Sequence, residues 1–437
     1  MASAAKPILV GPEHKGFSPR AWGMSIPDFV AASPRVGDQQ TPLLTLDAAA
    51  LEHNVAQMFA WLGTAGLAIA PHGKTTMAPA LWARLADAGA WGITVATGWQ
   101  AQVARSAGVD RVMIANTVVD PVALRWLADE LNAHPEAEVI SWVDDIRTVE
   151  LMSTALRAAG LRRRLPVIVE LGAAGGRTGV RGVPEAMRLA RIVHDSAVLE
   201  LAGVGGYEGA LAHDRSSASL ARIDAYLDDV ARLHREVIDC DLVRDAPPIV
   251  TVGGSAYFDR VAARLGALSD AAVVLLRSGA FHVHDDGFYA SISPMGELEG
   301  TRPFRSAMHL RARVVSRPEE RLALLDAGKR DLSFDEGMPV PLYVAGLPAE
   351  RAAHILAGAR IAAVNDQHAF LDLGPHAVGE LPVGSVVVLG LSHPCTVLDR
   401  WRLIPVVEHP SSGASDARVP ACADDDAVIV QAVQTFF

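Results

Sequence analysis

A chain of 437 residues, half of them hydrophobic and a fifth charged, can bury a large core and exceeds the length at which one core usually keeps growing, so two domains are expected. Its net charge of −11, with no basic run denser than the three arginines at 162–164, argues against broad binding to the phosphate backbone of nucleic acid. Three cysteines, Cys240, Cys395 and Cys422, are too few for a disulfide framework, and no signal-peptide pattern or long apolar run stands out, so a cytoplasmic protein without a membrane span is expected.

In chain order, residues 1–40 read as an N-terminal arm packing on a β domain. Residues 41–290 then alternate short apolar strands with longer Ala/Leu-rich helices. Eight strands are expected: LAIA (67–70), GITVA (92–96), RVMIA (111–115), EVISWV (138–143), PVIVEL (166–171), LAGVGGY (201–207), PIVTV (248–252) and AVVLLR (272–277). Near-continuous apolar strands separated by helices predict a parallel sheet covered by helices, and eight repeats predict an α/β fold, a (β/α)8 barrel. Residues 291–437 change to short β-rich runs punctuated by Gly and Pro, from MHLRARVVS to AVIVQAV. They predict an all-β domain, with an exposed polar loop over 409–427 before the last strand.

Barrel enzymes place their chemistry in the loops that follow the strands. Lys74, in PHGKTTMAP, follows the first barrel strand, and Arg177, in ELGAAGGRTGV, follows the fifth. Tyr207 and Glu208 close the sixth, Gly253, Gly254 and Ser255 follow the seventh, and Arg277 and Ser278 follow the eighth. A Gly-Gly-Ser turn opening a helix can offer N–H groups and a hydroxyl to a phosphate, although most such pairs are only tight turns. Lysines are mostly solvated surface charges. A lysine on the same rim as a phosphate cradle is, however, the pair needed to hold a phosphorylated aldehyde covalently.

In the β domain, His393 and Cys395 stand two apart and can offer imidazole and thiolate to one ion, with water or substrate filling the other positions. An isolated pair of this kind is more often coincidence. His282 and His284 also have ligand-like spacing, but the run reads as the strand leaving the barrel, with structural roles. Tyr289 reads either as core or as reaching a partner's site. Asp366 and His368 read as supporting the metal from behind or as a turn, Cys240 as a packed thiol and Cys422 as a loop thiol.

With these residues in place, the chain resembles the fold-type III pyridoxal-phosphate enzymes of the D-serine dehydratase and D-threonine aldolase group, which have an alanine racemase-like barrel. The motifs TPLLTLDAAALEHNV, PHGKTTMAP, ELGAAGGRTGV, GGYEG, VGGS, NDQH and HPCTVLDRWRLIPVVE carry the resemblance over nearly the whole chain. It implies Lys74 as the lysine that holds pyridoxal 5'-phosphate, Arg177 near the cofactor's phenolic oxygen and Tyr207 near its pyridine nitrogen. Gly253, Gly254 and Ser255 are implied at the phosphate, and a homodimer with each site close to the partner's β domain.

The group's dehydratases carry a His and Cys pair for zinc, as His393 and Cys395 suggest here, whereas its aldolases resemble His-x-Asp and tend to have a histidine in the loop after the sixth strand. This chain has GYEGALAH at that place. The resemblance therefore implies a pyridoxal-phosphate- and zinc-dependent dehydratase releasing a 2-oxo acid and ammonia from D-serine or a related β-hydroxy-D-amino acid. The alternative is a metal-dependent aldolase giving glycine and an aldehyde; behind it stand a racemase and a non-catalytic cofactor carrier. Thr76 and Met77 after the lysine, and the absence of aspartate after Glu170, depart from many relatives and bear on substrate choice.

Overall fold

The computed structural model describes residues 8–377, 379–409 and 419–437. Residues 1–7 of the expected arm and 410–418 of the expected polar loop lie outside them.

The first strand, β1 (Leu43–Asp47), runs into the helix Ala48–Ala65, capped by the Asp47 carboxylate on the Ala50 N–H at 2.9 Å and closed by Gly66 at φ 66°. Eight parallel strands follow: β2 (Ala68–Ile69), β3 (Ile93–Val95), β4 (Arg111–Thr117), β5 (Glu138–Val143), β6 (Leu165–Leu171), β7 (Leu199–Gly206), β8 (Ile249–Val252) and β9 (Val273–Leu276). Their order, β2-β9-β8-β7-β6-β5-β4-β3, makes one sheet. Its two ends meet where His72 bridges Thr94 and the Thr94 N–H donates to the Pro71 carbonyl at 3.0 Å, closing the barrel. Helices cover the outside, which explains why β6 is buried along its whole length. The interior is filled by Met113, Ile140, Trp142, Ile168, Ile249 and Leu275.

The second sheet has nine strands: β1 together with β10 (Met308–Glu319), β11 (Leu322–Leu325), β12 (Val340–Val344), β13 (Arg360–Val364), β14 (Ala369–Asp372), β15 (Val386–Gly390), β16 (Leu403–Glu408) and β17 (Val428–Gln434). Its pairs are antiparallel except β1 with β16, which is parallel. Two details differ from the expectation. β1 lies within the stretch assigned to the barrel yet hydrogen-bonds in this sheet, so the chain enters the β layer before it builds the barrel. The helix Ala349–Leu356 interrupts the otherwise β-rich region.

Val10, Phe17, Phe29 and Val36 from the arm share a core with Leu403, Val407 and Ile429 of this sheet. Ala78 and Leu81, just after the Lys74 turn, pack with Leu310, Val397 and Leu398. Barrel rim and second sheet therefore meet beside Lys74.

Candidate active site

Lys74 sits in a short 3-10 turn, Gly73–Thr75, that ends the first barrel strand. A side chain at Gly73 would meet Ile93 at 2.7 Å and the Trp82 ring at 3.0 Å, so only glycine lets the turn lie this close to the barrel wall. Trp82 fixes the other side through its indole N–H on the Thr76 hydroxyl, at 3.1 Å. Burial lowers the Lys74 pKa from the ordinary lysine value; the nearby Cys395 opposes this, and Arg177 and Arg277 reinforce it. An amine so placed is a better nucleophile and base near neutral pH than a surface lysine.

The eight residues expected to hold the cofactor or the metal, Lys74, Arg177, Tyr207, Gly253, Gly254, Ser255, His393 and Cys395, line one cavity of about 170 Å³. Arg177 stands with its guanidinium 4.8 Å from the centre of the Tyr207 ring. Its loop is held by Arg181, which donates to the Gly179 and Thr178 carbonyls at 2.6 and 2.9 Å. Beneath it the Arg277 guanidinium is buried over Trp142, 4.5 Å from the ring centre, donating to the Thr251 hydroxyl and the Gly206 carbonyl at 2.7 Å each. A guanidinium buried without partners would cost several kcal/mol. Here burial brings its pKa down to about 10 while Glu208 and Glu170 supply compensating charge.

The Gly253–Ser255 turn is held by Glu208. The Gly253 and Gly254 N–H groups donate to the two carboxylate oxygens of Glu208, at 2.9 and 2.8 Å, so both are already paired and shape the turn. Gly253 has φ 108°, a conformation that suits glycine. The Ser255 hydroxyl accepts the Ala280 N–H at 3.2 Å and keeps its own proton to donate.

Pyridoxal phosphate fits these residues. Among the described residues no carboxylate lines the cavity, whereas Lys74, Arg177 and Arg277 do, which suits a dianionic phosphate and an aldehyde-binding amine.

His393 and Cys395 arrive from the second sheet on the loop after β15. His393 has φ 54°, and its main-chain N–H donates to the buried Asp285 carboxylate at 3.0 Å. Its Nδ1 lies 2.5 Å from Asp335, the carboxylate behind an imidazole that commonly orients a metal ligand. The Cys395 hydrogen bond and Asp335, working against burial, push the His393 pKa up to about 9. Burial alone would raise the Cys395 pKa, but His393, the Thr75 hydroxyl 3.5 Å away and the Lys74 charge bring it below the ordinary thiol value. Imidazole plus thiolate suits a soft divalent ion such as zinc. Among the described residues no group of three or more His, Cys, Asp or Glu side chains is arranged to hold a metal ion; bound by the pair alone, an ion would take its other ligands from water or substrate.

His282 and His284 are buried at 1 % and 5 % exposure and do not line the cavity. Asp366 and His368 are exposed in the turn between β13 and β14, with Asp366 3.7 Å from Arg330. The two thiols are the reverse of the expectation: Cys240 is exposed at a helix end, and Cys422 is packed in the core, its pKa raised to about 11 by burial. Tyr289 does line the cavity of its own chain. Sequence reasoning gave no role to His72, Thr75 or Asp335. The first two flank Lys74 and could have been flagged by adjacency; Asp335 carries no local signal. Burial, aided by Lys74, Arg277 and Arg177, holds the His72 pKa well below its usual value, so its imidazole is neutral at the cavity wall.

Residues 46–245 match the family described as "Alanine racemase, N-terminal domain" and residues 307–407 the one described as "Putative serine dehydratase domain". The chain is 26 % identical over 376 residues to a D-threonine aldolase of Arthrobacter sp, covering 85 % of this chain and 90 % of that one. It is 26 % identical over 312 residues to a 3-hydroxy-D-aspartate aldolase of Paracoccus denitrificans (strain Pd 1222), covering 69 % and 75 %. Its fold is similar to the crystal structure of D-threonine aldolase from Filomicrobium marinum, with a TM-score of 0.74, 27 % identity, and coverage of 92 % and 97 %. Among the described residues no helix is long and apolar enough to cross a membrane.

Proposed function

The chain belongs to the alanine racemase-like, fold-type III family of pyridoxal-phosphate enzymes, and on that premise we propose that it is a lyase of β-hydroxy-D-amino acids acting as an aldolase. The observation that carries the reading is that one cavity receives both Lys74 from the barrel and the His393–Cys395 pair from the second sheet. The aldolase assignment is supported by similar proteins that are named aldolases and align with most of this chain. It takes precedence over the dehydratase expected from the thiolate motif and from the GYEGALAH loop.

When bound, pyridoxal phosphate supplies an aldehyde for covalent attachment and an electron sink for charge developing at Cα. Lys74 would hold it, with Arg177 and Tyr207 along its ring and the Ser255 turn at its phosphate. The lowered pKa leaves more of the Lys74 amine neutral, able to exchange with a substrate amine and to hold or return a proton at its Nζ. His393 and Cys395, the latter 3.5 Å from the Thr75 hydroxyl beside Lys74, would hold a divalent ion where this reading places a substrate's β-hydroxyl, and Asp335 keeps the imidazole oriented. In an aldolase the proton leaves that hydroxyl as the Cα–Cβ bond breaks; in a dehydratase it leaves Cα and the hydroxyl departs. Zinc as the ion, a cytoplasmic location and a homodimer stand as parts of the same proposal.

The dehydratase remains the second reading, favoured by the thiolate in the cavity and by the serine dehydratase-type match over 307–407. Product analysis with D-threonine separates the two. Glycine and acetaldehyde are expected; 2-oxobutanoate and ammonia would establish the dehydratase instead. Neither pair of products across a series of β-hydroxy-D-amino acids would end the lyase proposal.

A further inference from the structure

Glu208 is a carboxylate that grips a cavity-lining turn from behind. It has no exposed surface and opens the 3-10 turn Glu208–Ala210 directly after Tyr207. Its two oxygens accept one N–H each, from Gly253 and Gly254, at 2.9 and 2.8 Å. A carboxylate taking two main-chain N–H groups in a buried place is a strong, directional tie.

Two more ties fix the same turn from the other side. The Ser278 hydroxyl donates to the Gly254 carbonyl at 2.7 Å, and the Ala280 N–H donates to the Ser255 hydroxyl at 3.2 Å. A Gly-Gly pair free of such ties has many orientations open to it, and each costs entropy to fix when a ligand binds. All three residues line the cavity, and with the first two N–H groups turned back onto Glu208, Ser255 is the one of the three that brings a side-chain hydroxyl to it.

The carboxylate also costs something. A buried negative charge beside a phosphate site repels the phosphate, so its presence calls for a compensating gain. Part of that gain is charge balance for Arg277, and the rest is the fixed turn.

We propose that Glu208 is a positioning residue for the phosphate-bearing end of the cofactor, clamping Gly253 and Gly254 so that Ser255 is presented to the phosphate. The inference rests on the cofactor reading given above, and it assigns a task to a residue that touches neither substrate nor reacting atoms.

The test compares two aldehydes that differ only in the phosphate. Full-length protein is stripped of cofactor with hydroxylamine and titrated by absorbance with pyridoxal phosphate and, separately, with pyridoxal; the parent, Glu208→Gln and Glu208→Asp are measured side by side. Glu208→Gln keeps the shape but places an amide N–H against a main-chain N–H, and Glu208→Asp keeps the charge but is one methylene short. Both are expected to weaken pyridoxal phosphate about tenfold or more, the scale of a lost charge-assisted hydrogen bond, while pyridoxal affinity stays within about twofold.

Equal weakening of both aldehydes would overturn the proposal, leaving Glu208 a support for the fold alone. Unchanged or tighter binding of pyridoxal phosphate would overturn it too, the latter making the carboxylate a competitor of the phosphate. Should Glu208→Gln fail to fold by circular dichroism, the Asp variant decides. A parent protein that takes up neither aldehyde would sink the cofactor reading itself, an outcome distinct from the failure of Glu208 alone.

Discussion

Cys395 shows how far one side chain can set the chemistry of a cavity. Its thiol is drawn towards the ionised form by hydrogen bonds from His393 and Thr75 and by the Lys74 charge, against the cost of burial. A thiolate is a soft donor, so the pair it forms with His393 should select zinc over harder ions. Replacing Cys395 by aspartate would keep a negative donor and change its softness. For Cys395→Asp we expect that, after chelation and dialysis, added Mn2+ restores more lyase activity than Zn2+, the reverse of the parent's preference. An unchanged ion order would remove Cys395 from the metal site. The residue was legible because His-x-Cys is a local spacing. Its neighbours Thr75 and Asp335 were not, since each meets the pair only through the fold.

The segment leaving the barrel, Phe281–Asp286, shows where spacing misleads. His282 and His284 look like a ligand pair on an extended strand, which would place both on one side. In the structure His284 has φ 46° and both rings are buried, with neither nitrogen of His282 finding a partner. Burial brings their pKa values down to about 3 and about 4, from 6.5. The unfolded chain therefore takes up protons that the folded chain refuses, and stability present above pH 6.5 is lost as the pH falls towards 4. Each imidazole costs up to ~1.4 kcal/mol per pH unit in that window. Asp285, raised to about 6 by burial, acts in the opposite sense, so the difference between variant and parent isolates the histidine. We expect thermal melts of His282→Gln at pH 7, 6 and 5 to fall less steeply with acid than those of the parent; parallel slopes would show that His282 is not held neutral.

The strands were unevenly legible for a related reason. All eight barrel strands were found, because buried parallel strands between helices leave long apolar runs. β11 was missed: Leu322–Leu325 is four residues among charges, and its identity as a strand comes only from pairing with β10 and β14. Residues 43–47 fall inside the span 41–290 expected to form the barrel, and nothing local reveals that they form β1 and pair with Arg311 and Val406 far along the chain.

For the molecule as a whole, the cavity exists because two sheets with separate cores meet at one rim. The barrel brings Lys74, Arg177, Tyr207 and the Ser255 turn, each at a strand end and each readable from the strand count. The second sheet brings His393 and Cys395, and their approach to Lys74 depends on the core that Leu81 of the barrel rim shares with Leu398. Charge compensation across the floor, with Glu208 and Glu170 serving Arg277, is likewise a property of the closed barrel and has no sequence spacing to announce it. The central claim is that, of the chain's four lysines, Lys6, Lys15, Lys74 and Lys329, only Lys74 carries the cofactor. Sodium borohydride reduction of the protein loaded with pyridoxal phosphate, followed by digestion and mass mapping, tests it most directly. The account predicts a single reduced adduct on the peptide containing Lys74; an adduct on another lysine, or none, would contradict it.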